Sequence, residues 1–227
     1  MPTTLITGAN RGLGLEFVRQ YLTDGWRVFA TCRNPDEAAA LSGMKGKLEV
    51  HQLDVTDHTR CQALAKSLRR ESLDLLLNNA GIYGPRPAKL GGVDYNAWSE
   101  VLRVNTMAPL KVSESFQSHV AASERKMIAT VSSKMGSIDD NDSGASYIYR
   151  SSKAALNAVM KSLSVDLRPR GVSVVMLHPG WVRTDMGGPG GLIDIPESVT
   201  GMRRVIDDLS LQNSGRFMNY DGTEIPW

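Results

Sequence analysis

The chain has 227 residues, 41% of them apolar and 22% charged, with a formal net charge of +2. That length and balance describe one domain of ordinary large size that buries its own core. The absence of any Lys/Arg run leaves no electrostatic footprint for nucleic acid, and no apolar stretch approaches the ~18 residues of a membrane span.

Cys32 and Cys61 lack metal-ligand spacing, so no metal site is expected and both read as buried thiols of a reducing compartment. The N-terminus runs into Thr3-Thr4-Leu5-Ile6-Thr7 without a basic flank or cleavage site. That pattern predicts no signal peptide and a cytoplasmic location.

Thr3 to Thr7 reads as a short buried strand, followed by Gly8-Ala9-Asn10-Arg11-Gly12-Leu13-Gly14 and a helical pattern with Leu15, Val18 and Leu22 on one face. Strand, glycine loop and helix form the setting that a dinucleotide fingerprint needs. Glycines let the backbone approach a pyrophosphate, and the helix N-terminus offers oriented N–H groups. A second strand is predicted at Trp26–Cys32. Folds that prefer NAD place an acid about 20 residues after the loop. Here the strand ends in Thr31-Cys32-Arg33-Asn34, and the first acid is Asp36. Arg33 offers a fork of donors suited to a 2′-phosphate, and Arg11 is a second cation in reach. Together they point to NADP(H).

A third strand at Leu48–Leu53 ends in Asp54-Val55, where the Asp54 carboxylate can accept from an adenine amino group. A helix is predicted over 58–71, with Asp57 or Thr56 as its cap. Leu73–Leu77 is a nearly continuous apolar run, as in a central parallel strand. It ends in Asn78-Asn79-Ala80-Gly81, whose amides either tie strands together or line a cofactor crevice. Residues 82–94 read as a loop, with Tyr83 a candidate wall of the site.

Trp98–Leu110 reads as helical, with Asn105 inside it and Pro109 four residues on. Proline has no N–H, so the Asn105 carbonyl loses its helix partner and needs water or another donor. Met127–Ser133 is the next predicted strand. Alternation lets one of Ser132 and Ser133 point into the crevice. Residues 134–146 form a loop.

Tyr149-Arg150-Ser151-Ser152-Lys153 then opens a helix with Leu156, Met160, Leu163 and Leu167 on one face. Tyr149 and Lys153 are a turn apart on the same side. A neighbouring ammonium favours phenolate and lowers a tyrosine pKa. A shift of about three units, about 4 kcal/mol, would bring the phenol near neutrality. Such a group gives or takes a proton at a carbonyl or alcohol oxygen. Tyr147 has the uncharged Ser151 at the same spacing, so spacing selects Tyr149. A strand at Val172–Leu177 is followed by His178–Thr184, then by a glycine-rich segment from Asp185 read as a substrate lid over 185–209. A helix over 197–209 and a strand at Arg216–Met218 complete the chain.

These residues together resemble the short-chain dehydrogenase/reductase family over essentially the whole chain. Thr7-Gly8-x-x-x-Gly12-x-Gly14 looks like its cofactor motif, and Asn78-Asn79-Ala80-Gly81 like its sheet-stabilising motif. Asn105, Ser133, Tyr149 and Lys153 match its catalytic tetrad. Pro179-Gly180 with Thr184 matches its nicotinamide-loop motif. Sniffer-type carbonyl reductases and the C-factor group look closest within it.

The resemblance implies a single-domain Rossmann fold, α/β, with a doubly wound, mostly parallel seven-stranded sheet in the order 3-2-1-4-5-6-7. It also implies NADP(H) contacts along Gly8, Asn10, Arg11, Gly12, Leu13 and Gly14, then Arg33, Asp54 and Val55, then Asn79, Ala80 and Gly81. Tyr149 and Lys153, with Pro179, Gly180, Val182 and Thr184, would complete the cofactor contacts. Ser133 would hold a carbonyl oxygen, Tyr149 would give the proton, and Lys153 would bind ribose hydroxyls and pass protons through water at Asn105. The implied activity is reduction of a small carbonyl substrate by a homodimer built on the helices carrying Asn105 and Tyr149. The rival reading is a cofactor-binding signalling protein of C-factor type. The gap from Ser133 to Tyr149 exceeds the usual family spacing, which keeps Ser132 as an alternative and reshapes the substrate entrance.

Overall fold

The structure, a computed structural model, describes residues 1–86 and 90–227. Residues 87–89 of the predicted 82–94 loop therefore lie outside the described residues. Seven strands form one sheet in the order β3-β2-β1-β4-β5-β6-β7. They are β1 (Thr3–Thr7), β2 (Arg27–Cys32), β3 (Lys47–Gln52), β4 (Leu75–Asn78), β5 (Met127–Val131), β6 (Ser173–His178) and β7 (Arg216–Asn219). Every pairing is parallel, so the expected "mostly parallel" sheet is wholly so. The order reverses between β1 and β4, which opens a crevice at the carboxyl ends of those strands.

The helices are α1 (Gly12–Thr23), α2 (Ala39–Ser42), α3 (His58–Ser67), α4 (Tyr95–Leu102), α5 (Ala108–Ala121), α6 (Tyr147–Asp166) and α7 (Ile195–Asp207). Strand alternation divides the core in two. Leu5, Leu76 and Ile128 face Ala65, Phe116 and Met160 from α3, α5 and α6. Ile6, Leu75 and Leu77 face Phe17, Tyr21, Leu41 and Met202 from α1, α2 and α7. Both faces of the central strands β4, β5 and β6 are therefore covered and almost wholly buried, whereas the edge strand β3 stays partly exposed and is polar at alternate positions.

Several boundaries differ from the sequence expectation. The 58–71 helix ends at Ser67, because Arg69 and Glu71 N–H groups turn back to Lys66 and Leu68 carbonyls. Asp57 is its cap, accepting from the Arg60 N–H at 2.9 Å. The helix expected over Trp98–Leu110 begins at Tyr95 and runs on through a wide π-turn at Arg103–Met107 into α5, to Ala121. Pro109 removes a donor, and the widened turn absorbs the fault without ending the helix. Val199, Met202 and Ile206 of α7 are fully buried against α1, so this part of the 185–209 segment is core. What remains of the lid, 185–194, is folded back on the chain before it. Leu192 and Ile193 N–H groups donate to the Trp181 carbonyl, and the Arg183 N–H to that of Ile193.

Among the described residues, no helix is long and apolar enough to cross a membrane.

Candidate active site

The glycine loop lies where β1 meets α1. Gly8 (φ +63°) sits against Ala80, and a Cβ there would lie 2.9 Å from the Ala80 Cα. A Cβ on Gly14 would lie 2.2 Å from the Gly8 carbonyl oxygen and 2.6 Å from Asn79 Nδ2. The loop is pinned from β4: Asn79 Nδ2 donates to the Thr7 and Gly8 carbonyls at 2.9 and 3.0 Å. The Thr7 hydroxyl accepts from the Asn79 and Ala80 N–H groups. Asn79 thus shapes the loop with its side chain, while Asn78 ties β4 to Ser113 of α5 at 3.0 Å.

A dinucleotide fits this cradle. Gly12 (φ +54°) has open space where its side chain would project. The α1 N-terminus has no side-chain cap and no acid in its first turn, so its N–H groups remain available for an anion. Asn10, Arg11 and Leu13 line the same turn. Arg33 follows β2, exposed and without a carboxylate partner among the described residues. Arg11 is instead paired with Asp185 at 3.0 Å, both side chains exposed. The Asp54 carboxyl, followed by buried Val55, is held below the usual carboxylate range by hydrogen bonds from the Thr56 N–H and hydroxyl. At the far end of the crevice, Pro179 accepts from the Ser198 hydroxyl. Gly180 (φ +81°) packs on Ile193 and Tyr220, Val182 is buried, and Thr184 Oγ1 accepts from the Gly187 N–H at 2.9 Å.

Asn105, Ser133, Tyr149 and Lys153 come together between β5 and α6, each less than a tenth exposed. Asn105 spends its side chain on the scaffold. Its Nδ2 donates to the Ile82 carbonyl at 2.8 Å and to Ser152 Oγ at 3.0 Å, and its Oδ1 accepts from the Ile82 N–H. This clamps the π-turn to α6 and to Gly81, whose Cβ position lies 3.7 Å from Lys153 Nζ.

The two serines separate cleanly. Ser132 Oγ donates to Asn157 Oδ1 at 2.6 Å, inside the core. Ser133 turns toward Tyr149 and accepts from the Met135 N–H at 3.2 Å. Tyr149 is buried while Tyr147 stays exposed.

The electrostatics depart from the expected acidified phenol. Burial pushes the Tyr149 pKa up to about 12. The opposing influences are its polar interaction with Ser133 and, more weakly, the charge of Arg86. Lys153 Nζ donates to the Val131 carbonyl at 3.0 Å and stands 5.8 Å from the Tyr149 ring centroid. Burial brings its pKa down to about 8. Desolvation therefore drives both groups toward their neutral forms, and the Tyr149 pKa is set by burial, Ser133, Tyr83 and Arg86.

Tyr83, the candidate wall, borders the site, and so does Arg86, which the sequence did not single out. The Tyr83 ring stacks on Tyr149 with centroids 4.4 Å apart, and the Arg86 guanidinium lies 3.8 Å over Tyr83. The only sequence signal for Arg86 was a lone cation in a Gly/Pro loop after β4, which is too weak to single out.

A family model described as "short chain dehydrogenase" matches residues 2–190. The C-signal protein of Myxococcus xanthus is 46% identical over 166 residues, 73% of this chain and 99% of that one. Two solved structures superpose on the whole chain. The carbonyl reductase Sniffer of D. melanogaster matches with a TM-score of 0.93 at 35% identity over 100% of both chains. The NADPH-bound carbonyl reductase from chicken fatty liver matches with a TM-score of 0.92 at 37% identity, covering 100% of this chain and 99% of that one. A Rossmann sheet, a glycine cradle at its switch point and a buried Ser-Tyr-Lys cluster beside it thus agree with the sequence match, and the chain belongs to the short-chain dehydrogenase family of oxidoreductases.

Proposed function

We propose that the protein is an NADPH-dependent carbonyl reductase that converts an aldehyde, ketone or quinone to the alcohol. The observation that carries this reading is the buried Ser133–Tyr149–Lys153 cluster at the mouth of the glycine cradle. Whole-chain similarity to two carbonyl reductases, one of them NADPH-bound, supports it.

The residues suited to NADP(H) are the Gly8–Gly14 loop for the pyrophosphate, Arg33 and Arg11 for the 2′-phosphate, and Asp54 with Val55 for the adenine. Ala80, Gly81 and the Pro179–Thr184 segment serve the nicotinamide end. When bound, NADPH supplies the hydride. The chain's own groups handle the oxygen. Ser133 donates a hydrogen bond to the substrate carbonyl oxygen and steadies its developing charge. Tyr149 gives that oxygen its proton, leaving an alcohol, and Lys153 holds the ribose hydroxyls and restores the proton through water at the Asn105 carbonyl. A phenol with a pKa near 12 is fully protonated at neutral pH, the form a proton donor needs.

Tyr149→Phe tests the assignment: NADPH oxidation with a carbonyl panel should vanish while NADPH binding persists. Turnover equal to the parent enzyme would end it. A second reading, a cofactor-binding signalling protein, is favoured by the 46% identity to C-signal. It predicts tight NADPH binding with no turnover across aldehydes, ketones and quinones. A homodimer through α4, α5 and α6 is the expected assembly, to be checked by light scattering.

A further inference from the structure

The wall over the proton donor is built with unusual care. Tyr83 stacks on Tyr149 with an interplanar angle of 20°. The Tyr83 hydroxyl lies 3.4 Å from Ser146 Oγ and 3.9 Å from Met135 Sδ. Ser146 occupies the N-cap position of α6, yet its side chain makes no cap hydrogen bond there. It is left-handed (φ +48°), as are Gly144 and Ala145 before it. Non-glycine residues hold that conformation only at a steric cost. Here it directs the serine hydroxyl to Tyr83 instead of to the helix end.

Arg86 completes the layer. It covers the outer face of Tyr83 and donates to the Met186 carbonyl of the 185–194 segment. Among the described residues near the entrance, Arg11 is paired with Asp185, Lys134 with Asp140 and Arg183 with Asp194, while Arg150 is engaged by the Met135 carbonyl and the Ser143 hydroxyl. Arg86 is exposed and has no carboxylate partner among the described residues.

Resting on the carbonyl-reductase reading, we propose that Tyr83 and Arg86 form the substrate-recognition wall and select carbonyl compounds that carry a carboxylate at the end remote from the carbonyl. The carbonyl meets Ser133 and Tyr149. The flat body of the substrate runs along the edge of Tyr83, and the anion meets the guanidinium. The separation between Arg86 and Tyr149 is two stacked layers, which a benzene ring with substituents at opposite ends can span. A planar guanidinium pairs with a carboxylate through two parallel N–H donors, a geometry that a point charge lacks.

The test compares 4-carboxybenzaldehyde with 4-methylbenzaldehyde, using the full chain and NADPH. The ratio of their kcat/KM values is the readout. Ring electronics are common to all variants and cancel between them. In the parent enzyme the ratio should favour the carboxylate and shrink as salt is added, because the pair is solvent-accessible. Arg86→Leu should lower the ratio about tenfold, and Arg86→Lys should retain part of it. A ratio indifferent to salt in the parent enzyme, or unchanged in Arg86→Leu, overturns the proposal and leaves the reductase reading standing. Turnover of neither aldehyde, nor of a wider carbonyl panel, defeats both.

Discussion

Lys153 reaches past Tyr149 to the backbone: its Nζ donates to the Val131 carbonyl at 3.0 Å and lies 5.8 Å from the Tyr149 ring centroid. An ammonium held there has lost most of its water, and its pKa falls to about 8. In the unfolded chain the same lysine titrates near its ordinary value of about 10.4. Between those values the unfolded state binds the extra proton, so stability rises with pH across that window. Tyr149 acts in the opposite sense. Its pKa is raised to about 12, so the folded state keeps a proton that the unfolded state loses above about 10, and stability falls there.

Urea unfolding of the cofactor-free protein should therefore show a gain between pH 7.5 and 9.5. Lys153→Met should remove that gain, on the order of 2 kcal/mol. An identical pH profile in the two proteins would show that the buried lysine carries no such penalty.

Ser132 and Ser133 should fail in different ways. On the proposed mechanism Ser133→Ala removes a donor to the reacting oxygen and is expected to lower kcat by about 10²-fold with little change in Tm. Ser132→Ala strands Asn157 Oδ1 in the core, where Asn157 Nδ2 already lacks a partner. It should cost about 1–3 kcal/mol of stability, while kcat per folded molecule holds. Thermal melts and steady-state rates on both variants decide this, and a reversed pattern would exchange the two roles.

Arg33 and Arg11 begin from different positions. Arg33 has no carboxylate partner among the described residues, whereas Arg11 is engaged by Asp185 across the crevice. Arg33→Glu should shift the NADPH/NADH ratio of kcat/KM by about 10²-fold toward NADH. Asp185→Asn should lower the KM for NADPH about twofold, a small effect because both partners are exposed. An NADPH preference that survives Arg33→Glu would move 2′-phosphate recognition elsewhere.

Most of the fold was legible because its signals are local. Each strand end, glycine turn and helix face is written within about ten residues, and periodicity reads them directly. The π-turn shows both the reach and the limit of that reading. Pro109 marks the fault at Asn105 in the sequence, but whether the helix stops or widens there depends on the side-chain clamp from Asn105 to Ile82 and Ser152. Likewise the 185–209 segment read as one lid, whereas burial of Val199, Met202 and Ile206 against α1 makes its second half core.

The sequence by itself marked the strands, the glycine loop and the shared face of Tyr149 and Lys153, since spacing along one helix settles which side chains share a face, while the strand order came from the family resemblance. Only the tertiary structure turned Ser132 into the core and Ser133 toward Tyr149, paired Arg11 with Asp185, and layered Arg86 on Tyr83. It also reversed the expected direction of the Tyr149 pKa. Charge proximity can be read from a spacing of four residues. Loss of water cannot, because it is set by every element that closes around the phenol.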